Sequence, residues 1–335
     1  MTTNTQNPLQ AQYPTNQDTM ATVKDQLSFN QGMSNCKIIE GAQTSAECIK
    51  DAGLDWRLNT FPVSAPNLVS DDDIEIPGYQ AITRSDSNEV LSIMGKDYRI
   101  IDNEDAFEFF DGVVDTKQAI YDAAGSLNGG RKVFIMAKLN DNMFIDPSDE
   151  VERRIMLHTS HDGTASLVMK QVAIQMNCTN AFSFYLGKRY ISNQIKIRHT
   201  KAAKGKIVQA QKALKLSVGY FDDLNSILKN LRTRPMDTTE MTRFTEKLVP
   251  DNEDAKNTTR TENIRNQMQI AFTRGHNVQG RNRYSALNAV TEYTTHDAST
   301  RVRKGETEHD GRFDSNMFGG GARLAQRAFD LLLEN

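Results

Sequence analysis

The residues best suited to chemistry are cations and aromatic rings gathered in one stretch that lacks acids. Residues 163–221 contain no Asp or Glu, although the chain holds 43 acids and 40 Lys and Arg, for a net charge of −3. The stretch holds ten bases, so the remaining chain carries 30 bases against 43 acids, a net charge of −13. Because cations bind phosphates and exposed rings stack on unpaired bases, this segregation predicts a polyanionic partner.

The predicted interface is an aromatic–basic loop followed by a strand and a helix that present lysines. Its base-stacking candidates are Phe182, Phe184, Tyr185 and Tyr190. Its phosphate-binding candidates are Lys188, Arg189, Lys196, Arg198, Lys201, Lys204, Lys212 and Lys215. A second acid-free stretch, residues 263–291, supplies the further candidates Arg274, Arg281 and Arg283 in a loop that could close over a phosphate backbone.

A weaker set of candidates could hold a metal ion. His158, His161 and Asp162 lie close in sequence, but residues three apart on a strand point to opposite faces. A metal-dependent nuclease is therefore the second alternative to the leading hypothesis that is given below. The prediction is a non-enzymatic protein without a metal. The sequence has no P-loop, no dinucleotide-binding glycine pattern and no nucleophile elbow, so we expect no cofactor.

The elements that must position these residues predict an α+β protein. We expect a polar, disordered tail at residues 1–34, a body with a mixed or antiparallel sheet at 35–199, and a helical region at 200–335. In the body, Asp162-Gly163 predicts a hairpin between extended runs at 153–160 and 165–176.

Other parts of the body follow from shorter patterns. Residues 90–94 and 98–101 predict two strands, and 117–124 predicts a helical segment. Residues 102–114 predict a helix, and 68–77 an acidic loop. The run Val133-Phe134-Ile135-Met136-Ala137 predicts a strand buried on both faces, and the alternation at 191–198 predicts a half-buried strand.

The helical region begins with a long basic amphipathic helix from Thr200. Its predicted apolar stripe is Ala203, Ile207, Ala210, Leu214, Phe221, Leu224, Leu228 and Leu231. Further helices are predicted at Thr238–Leu248, Ala255–Thr273, Tyr284–Tyr293 and Ala322–Leu333.

Composition limits the location of the protein. No apolar run is long enough to cross a bilayer, and the N-terminal residues lack the pattern of a secretory signal. The three cysteines are widely spaced and form no Cys-x-x-Cys pair, which favours reduced thiols. These observations predict a cytoplasmic protein with no membrane partner.

Several short motifs together resemble the uncharacterised phage/plasmid-like protein family, a domain of unknown function (DUF932). In chain order, the motifs are Gly95-Lys96-Asp97-Tyr98, Gly125-Ser126-Leu127, Gly130-Arg131, Ser160-His161-Asp162-Gly163, Asn177-Cys178-Thr179-Asn180, Arg198-His199-Thr200 and Ala286-Leu287-Asn288-Ala289-Val290-Thr291-Glu292-Tyr293. The resemblance covers residues 90–333. It implies a gene of phages, plasmids or integrated elements that is expressed in a bacterial cytoplasm, and it supplies no activity or catalytic residues.

Besides the metal-dependent nuclease, two functional hypotheses remain open at the level of sequence. The first is a protein that binds or anneals single-stranded DNA in the replication or recombination of a mobile element. A sheet with helices around a basic groove is also similar, as a fold-level analogy, to phage recombination annealing proteins. The alternative is a protein-interaction or assembly module, in which the basic face binds an acidic surface of a partner or a second copy.

Overall fold

The structure, a computed structural model, describes residues 36–165, 167–176, 178–186, 203–251, 258–274, 281–303 and 305–334. These residues form two antiparallel sheets followed by a helical region, which confirms the α+β class. The predicted tail at 1–34, the predicted strand at 191–198 and the predicted domain boundary at 199/200 lie outside the described residues.

Ten strands occur in the described residues. They are β1 (Cys36–Ile38), β2 (Leu58–Ala65), β3 (Ile74–Arg84), β4 (Val90–Gly95), β5 (Ala119–Leu127), β6 (Lys132–Leu139), β7 (Met143–Asp146), β8 (Asp149–Ser160), β9 (Val168–Gln175) and β10 (Ala181–Phe182). The larger sheet has seven strands in the order β1-β5-β6-β8-β9-β10, with β7 also paired to β8. The smaller sheet has the order β2-β3-β4.

The eight described α-helices lie between and after these strands. They are α1 (Ser45–Asp51), α2 (Asn103–Val114), α3 (Ala203–Thr233), α4 (Thr238–Leu248), α5 (Thr258–Arg274), α6 (Arg283–Glu292), α7 (Glu308–Phe318) and α8 (Gly320–Leu333). The predicted helices of the C-terminal region are confirmed as α3, α4, α5, α6 and α8, whereas α7 was not predicted. Its sequence begins with a capping box at Thr307 and Asp310, a local signal that could have revealed it.

The seven-stranded sheet is buried on both faces because the side chains that alternate between its two faces are apolar on each of them. On β6, Val133 and Ile135 belong to the larger core, which also contains Phe107 and Phe110 of α2. The alternate residues Phe134 and Met136 belong to a second core. That second core includes Phe313 and Met317 of α7. The expectation of a strand buried on both faces is therefore confirmed.

The hairpin predicted at Asp162-Gly163 connects β8 and β9, which pair from Val151 with Gln175 to His158 with Val168. Gly163 has φ +74°, in the left-handed region that favours glycine. A Cβ at this position would lie 2.6 Å from Cε of Met94 on β4. The turn of the larger sheet thus packs closely against the smaller sheet.

Three local predictions are wrong. Residues 117–124 were predicted to be helical, but residues 119–127 form β5, which pairs with both β1 and β6. Pairing on both sides outweighs the helical propensity of its alanines. The segment 98–101 is not a strand, and β3 begins at Ile74 within the predicted acidic loop.

The helical region is tied to the larger sheet by a buried polar contact. The Tyr284 hydroxyl of α6 donates to Oδ2 of Asp149 at 2.7 Å, and Gln175 Nε2 donates to the same hydroxyl at 2.8 Å. Burial raises the pKa of Asp149, while the hydrogen bonds from Tyr284 and Gln175 oppose this shift. The interaction fixes α6 against the first residue of β8 and the last residue of β9.

Candidate nucleic-acid interface

Helix α3 has the amphipathic form that the sequence predicted. Leu214, Phe221, Leu224, Leu228 and Leu231 are buried in the larger core. Lys212 and Lys215 are exposed. At roughly 100° per residue the two lysines lie about 60° apart around the axis, so both face solvent on one side of the helix.

Five of the predicted cations lie outside the described residues, namely Lys188, Arg189, Lys196, Arg198 and Lys201. Lys204 is part of α3. Their role in binding remains a prediction from sequence.

The predicted stacking residues divide between core and surface. Phe182 and Phe184 are buried and stack with centroids 5.0 Å apart, and Phe184 also stacks on Phe329 of α8 at 4.4 Å. Rings buried in this way serve the core and do not fit the predicted stacking on bases. Tyr185 is 47% exposed, whereas Tyr190 lies outside the described residues.

The backbone next to Tyr185 is held by two helices. The Tyr220 hydroxyl of α3 accepts from Phe184 N at 3.1 Å and donates to Phe184 O at 2.9 Å. Gln326 Oε1 of α8 accepts from Tyr185 N at 2.6 Å. Lys215 precedes Tyr220 by five residues, which is about 7.5 Å along a helix axis. One exposed ring and two exposed cations therefore lie on directly connected elements.

The three arginines of the second acid-free stretch have different environments. Arg274 forms an ion pair with Glu292 of α6. Arg283 donates through Nη1 to the carbonyl oxygens of Leu332 at 2.8 Å and Glu334 at 2.6 Å, so it caps the end of α8. Arg281 is exposed. The guanidinium groups of Arg274 and Arg283 thus already have partners within the protein, which weakens their predicted role as phosphate ligands.

The two histidines of the metal hypothesis lie on opposite sides of the larger sheet. The His158 ring packs against Phe318 at the end of α7, with centroids 4.6 Å apart. His161 Nε2 lies 2.9 Å from Oδ1 of Asn103 on α2. The Asp162 carboxylate accepts from N of Thr164 at 3.0 Å and stabilises the turn. In the part of the chain that the structure describes, no group of three metal-ligating side chains is found.

Two lysines accompany His158 on its side of the sheet. Lys132 forms an ion pair with Asp314 at 2.5 Å, and Lys170 donates to the carbonyl oxygen of Met317. Burial, reinforced by the charges of both lysines, lowers the pKa of His158 to about 3. Burial and the charge of Lys132 lower the pKa of Lys170 to about 8. Lys170, the first base of the acid-free stretch, thus binds the end of α7 and is directed into the protein.

The smaller sheet presents a surface that sequence reasoning missed. Phe61, Ala81 and Ile93 are register partners across the three strands, so they share one face. Phe61 is 48% exposed and Ile93 is 57% exposed. Tyr79, two residues before Ala81, is 55% exposed. This exposed apolar face becomes evident only from the structure, because within the described residues no helix covers it.

These features describe an α+β protein with a basic helix face and a sheet that is open on one side. The model of the domain of unknown function family DUF932 matches residues 90–317, which is more than half of the chain. The protein belongs to this family, and the resemblance inferred from the motifs is confirmed. A search of curated proteins found no match, and a search of solved structures also found none.

Within the described residues, no helix is both long enough and apolar enough to cross a bilayer.

Proposed function

We propose that this protein binds single-stranded DNA and promotes strand annealing in the replication or recombination of a mobile element in a bacterial cytoplasm. The observation that carries the proposal is the exposed pair Lys212 and Lys215 on α3, within an acid-free stretch and on the helix whose Tyr220 bonds to the backbone beside the exposed Tyr185. Cations bind the phosphates, and a ring beside them stacks on an unpaired base.

The packing of α3 supports this role because it makes the lysine face rigid. The opposite face of the helix is buried in the core, and Tyr220 bonds to both backbone groups of Phe184. Because the backbone of the helix is already fixed, binding of a strand has to order only the side chains of the two lysines. The resemblance to a phage/plasmid-like family motivates the choice of a mobile element.

The test is an anisotropy titration of labelled single-stranded and duplex DNA at low and moderate salt. We expect preferential binding to the single strand that weakens as salt rises. The double variant Lys212→Gln/Lys215→Gln should flatten the slope of log affinity against log salt by about 1.4, since each phosphate contact on a single strand contributes about 0.7.

The control is Lys229→Gln, an exposed lysine on the same helix that lies beyond the acid-free stretch. Its slope should match that of the unmodified protein. Absence of binding at micromolar protein, or an equal loss in the control and the double variant, would contradict the proposal. Annealing is then measured with complementary labelled strands, and a protein that binds without accelerating pairing would restrict the function to strand binding.

The second candidate function is self-assembly, and the exposed apolar face of the smaller sheet favours it. Phe61, Tyr79 and Ile93 present contiguous apolar surface to solvent. The turn between β2 and β3 carries the exposed acids Asp71, Asp72 and Asp73. A second copy of the chain fits this surface because its exposed lysines on α3 complement these carboxylates.

Light scattering across a salt series distinguishes self-assembly from DNA binding. Oligomers that dissociate with salt, in a protein without affinity for oligonucleotides, would support the assembly role alone. Ile93→Ser should weaken such oligomers. Ile120→Ser is the matched control, since Ile120 has a similar exposure of 58%. It should leave the oligomers intact because Ile120 lies on β5 of the other sheet. A monomer under all conditions removes this candidate.

A further inference from the structure

A cavity of about 270 Å³ lies between the two sheets, apart from the lysine face of α3. Its lining comes from both sheets and includes Leu58, Ile82, Tyr98, Arg99, His161 and Leu167. Its volume is near the lower end of the roughly 300–1,000 Å³ that is typical of small-molecule sites. A ligand of this size is a single ring system with a small substituent.

The inner part of the cavity combines apolar walls with one polar edge. Leu58, Ile82 and Leu167 are buried apolar side chains from three different strands or connections. The Ser160 hydroxyl accepts from Ala165 N at 2.7 Å and donates to Ala165 O at 3.0 Å, which fixes the turn at the wall. Apolar walls beside a fixed backbone suit an aromatic ring.

His161 supplies the polar edge in a defined protonation state. Asn103 Nδ2 donates to Leu54 O at 2.7 Å, which leaves its Oδ1 to face Nε2 of His161 at 2.9 Å. An amide oxygen only accepts, so Nε2 carries the proton and Nδ1 has a free lone pair. Burial lowers the pKa of His161 to about 4, although Asp102 and Asp162 oppose the shift, so the ring is neutral at pH 7.

The mouth of the cavity is formed by Tyr98 and Arg99. Tyr98 is half-buried, and its ring can stack on a planar ligand that enters beside it. Arg99 is exposed and offers a planar fork of donors suited to a phosphate or carboxylate. The nearby carboxylate of Asp162 is engaged by Thr164, whose N and Oγ1 both donate to it. Burial acts to raise the pKa of Asp162, but these hydrogen bonds help to lower it, so the carboxylate keeps its negative charge. Tyr98 and Arg99 therefore suit an aromatic ring whose anionic group lies on the side of Arg99.

We propose that this cavity binds one nucleotide unit, with its heterocyclic base inside and its phosphate at Arg99. A nucleobase has a π-face for Tyr98 and a hydrogen-bonding edge for His161, and it is joined to a phosphate through a sugar. The unit has two sources, a free nucleotide or one nucleotide of a bound strand. Binding of one nucleotide of a strand would extend the proposed function and rests on it, whereas binding of a free nucleotide does not depend on it.

The single tryptophan of the chain offers a direct readout. Trp56 packs edge-on against His161, with ring centroids 5.4 Å apart. A ligand that contacts His161 should alter Trp56 emission. The full-length protein is titrated with dAMP, dTMP, inorganic phosphate and a short single-stranded oligonucleotide, and calorimetry checks each titration.

We expect a saturable change in Trp56 emission with a nucleotide or an oligonucleotide and none with inorganic phosphate. Arg99→Gln, an exposed change, should weaken the response at least about tenfold, as expected for the loss of one charge-assisted contact. Ala165→Leu, which narrows the cavity, should abolish it. Lys96→Gln is the matched control, since Lys96 is an exposed cation near Arg99 that does not line the cavity.

A response to dAMP or dTMP identifies a free nucleotide, and a response only to the oligonucleotide identifies a base of a bound strand. No saturable signal by fluorescence and calorimetry, an undiminished response in Arg99→Gln, or an equal response to inorganic phosphate would overturn the proposal. DNA binding that depends on Lys212 and Lys215 but leaves Trp56 unchanged would overturn only this inference. Nucleotide binding without DNA binding would instead contradict the proposed function.

Discussion

The larger sheet packs against helices on both faces, whereas the smaller sheet leaves one face open to solvent. In the larger sheet, Phe134 and Ile135 are adjacent yet belong to different cores. In the smaller sheet, buried Ile82 of β3 and exposed Ile93 of the adjacent strand β4 lie on opposite faces. Because of this difference, stability resides mainly in the larger sheet, while the smaller sheet has surface available for contacts with other molecules.

The largest effect is expected for aromatic residues between α2 and the larger sheet. Phe110→Ala should lower the free energy of unfolding by about 3–5 kcal/mol, because it removes a fully buried ring and leaves a cavity. Phe61→Ala in the smaller sheet should cost less than about 1 kcal/mol, since that ring is already half-exposed. Urea denaturation followed by circular dichroism measures both. Similar losses in the two variants would contradict the inference that stability resides mainly in the larger sheet.

A buried ion pair of β8 and an exposed ion pair of the residue before β2 should differ in the same direction. Arg154 of β8 is buried and pairs with Asp122 at 2.6 Å and Glu152 at 2.8 Å. Arg154→Ala should lower the free energy of unfolding by about 3–5 kcal/mol, because it leaves buried carboxylates without their partner. Arg57→Ala removes an exposed pair with Glu104 and should cost about 0–1 kcal/mol. Denaturation midpoints test this prediction, and a larger loss in Arg57→Ala would contradict it.

Stability should also depend on pH through the buried histidines of the larger sheet. Their folded pKa values, about 3 for His158 and about 4 for His161, lie below the unfolded value of about 6.5. The unfolded chain therefore takes up protons first, and stability falls as pH drops below about 6.5. At pH 5 the loss is on the order of 2 kcal/mol for each histidine.

Denaturation curves at pH 7 and pH 5 measure this dependence. His158→Gln should reduce the difference between the two curves, because glutamine does not titrate. An unchanged difference in the variant would show that His158 does not keep its low pKa in the folded state. This result would also weaken the view that the second core excludes water.

The smallest effect is expected where the two sheets touch. Gly163→Ala should destabilise by about 1–2 kcal/mol, since a side chain at φ +74° is strained and its Cβ would lie 2.6 Å from Cε of Met94. Gly95→Ala in the smaller sheet should change stability by less than about 0.5 kcal/mol, because nothing lies within 4 Å of the added Cβ. Thermal melting compares the two variants, and equal shifts would show that the turn does not hold the sheets together.

Local patterns predicted much of this protein from sequence. The apolar residues of α2 and α3 recur at helical spacing, and Asp162-Gly163 has the chemistry of a tight turn. The charge segregation of residues 163–221 is likewise a property of the sequence alone. Each of these signals depends on neighbours within a few residues, so no knowledge of the fold is needed to read them.

Tertiary structure alone decided which residues became partners over long distances. β5 is a strand because β1 and β6 pair with it, although its own sequence favours a helix. Phe184 is a core ring because Phe329, far along the chain, stacks on it, and Arg283 caps a helix that ends near residue 334. The cavity at His161 likewise arises where two sheets meet. Sequence determines the local conformations, but burial and pairing depend on which distant surfaces pack together.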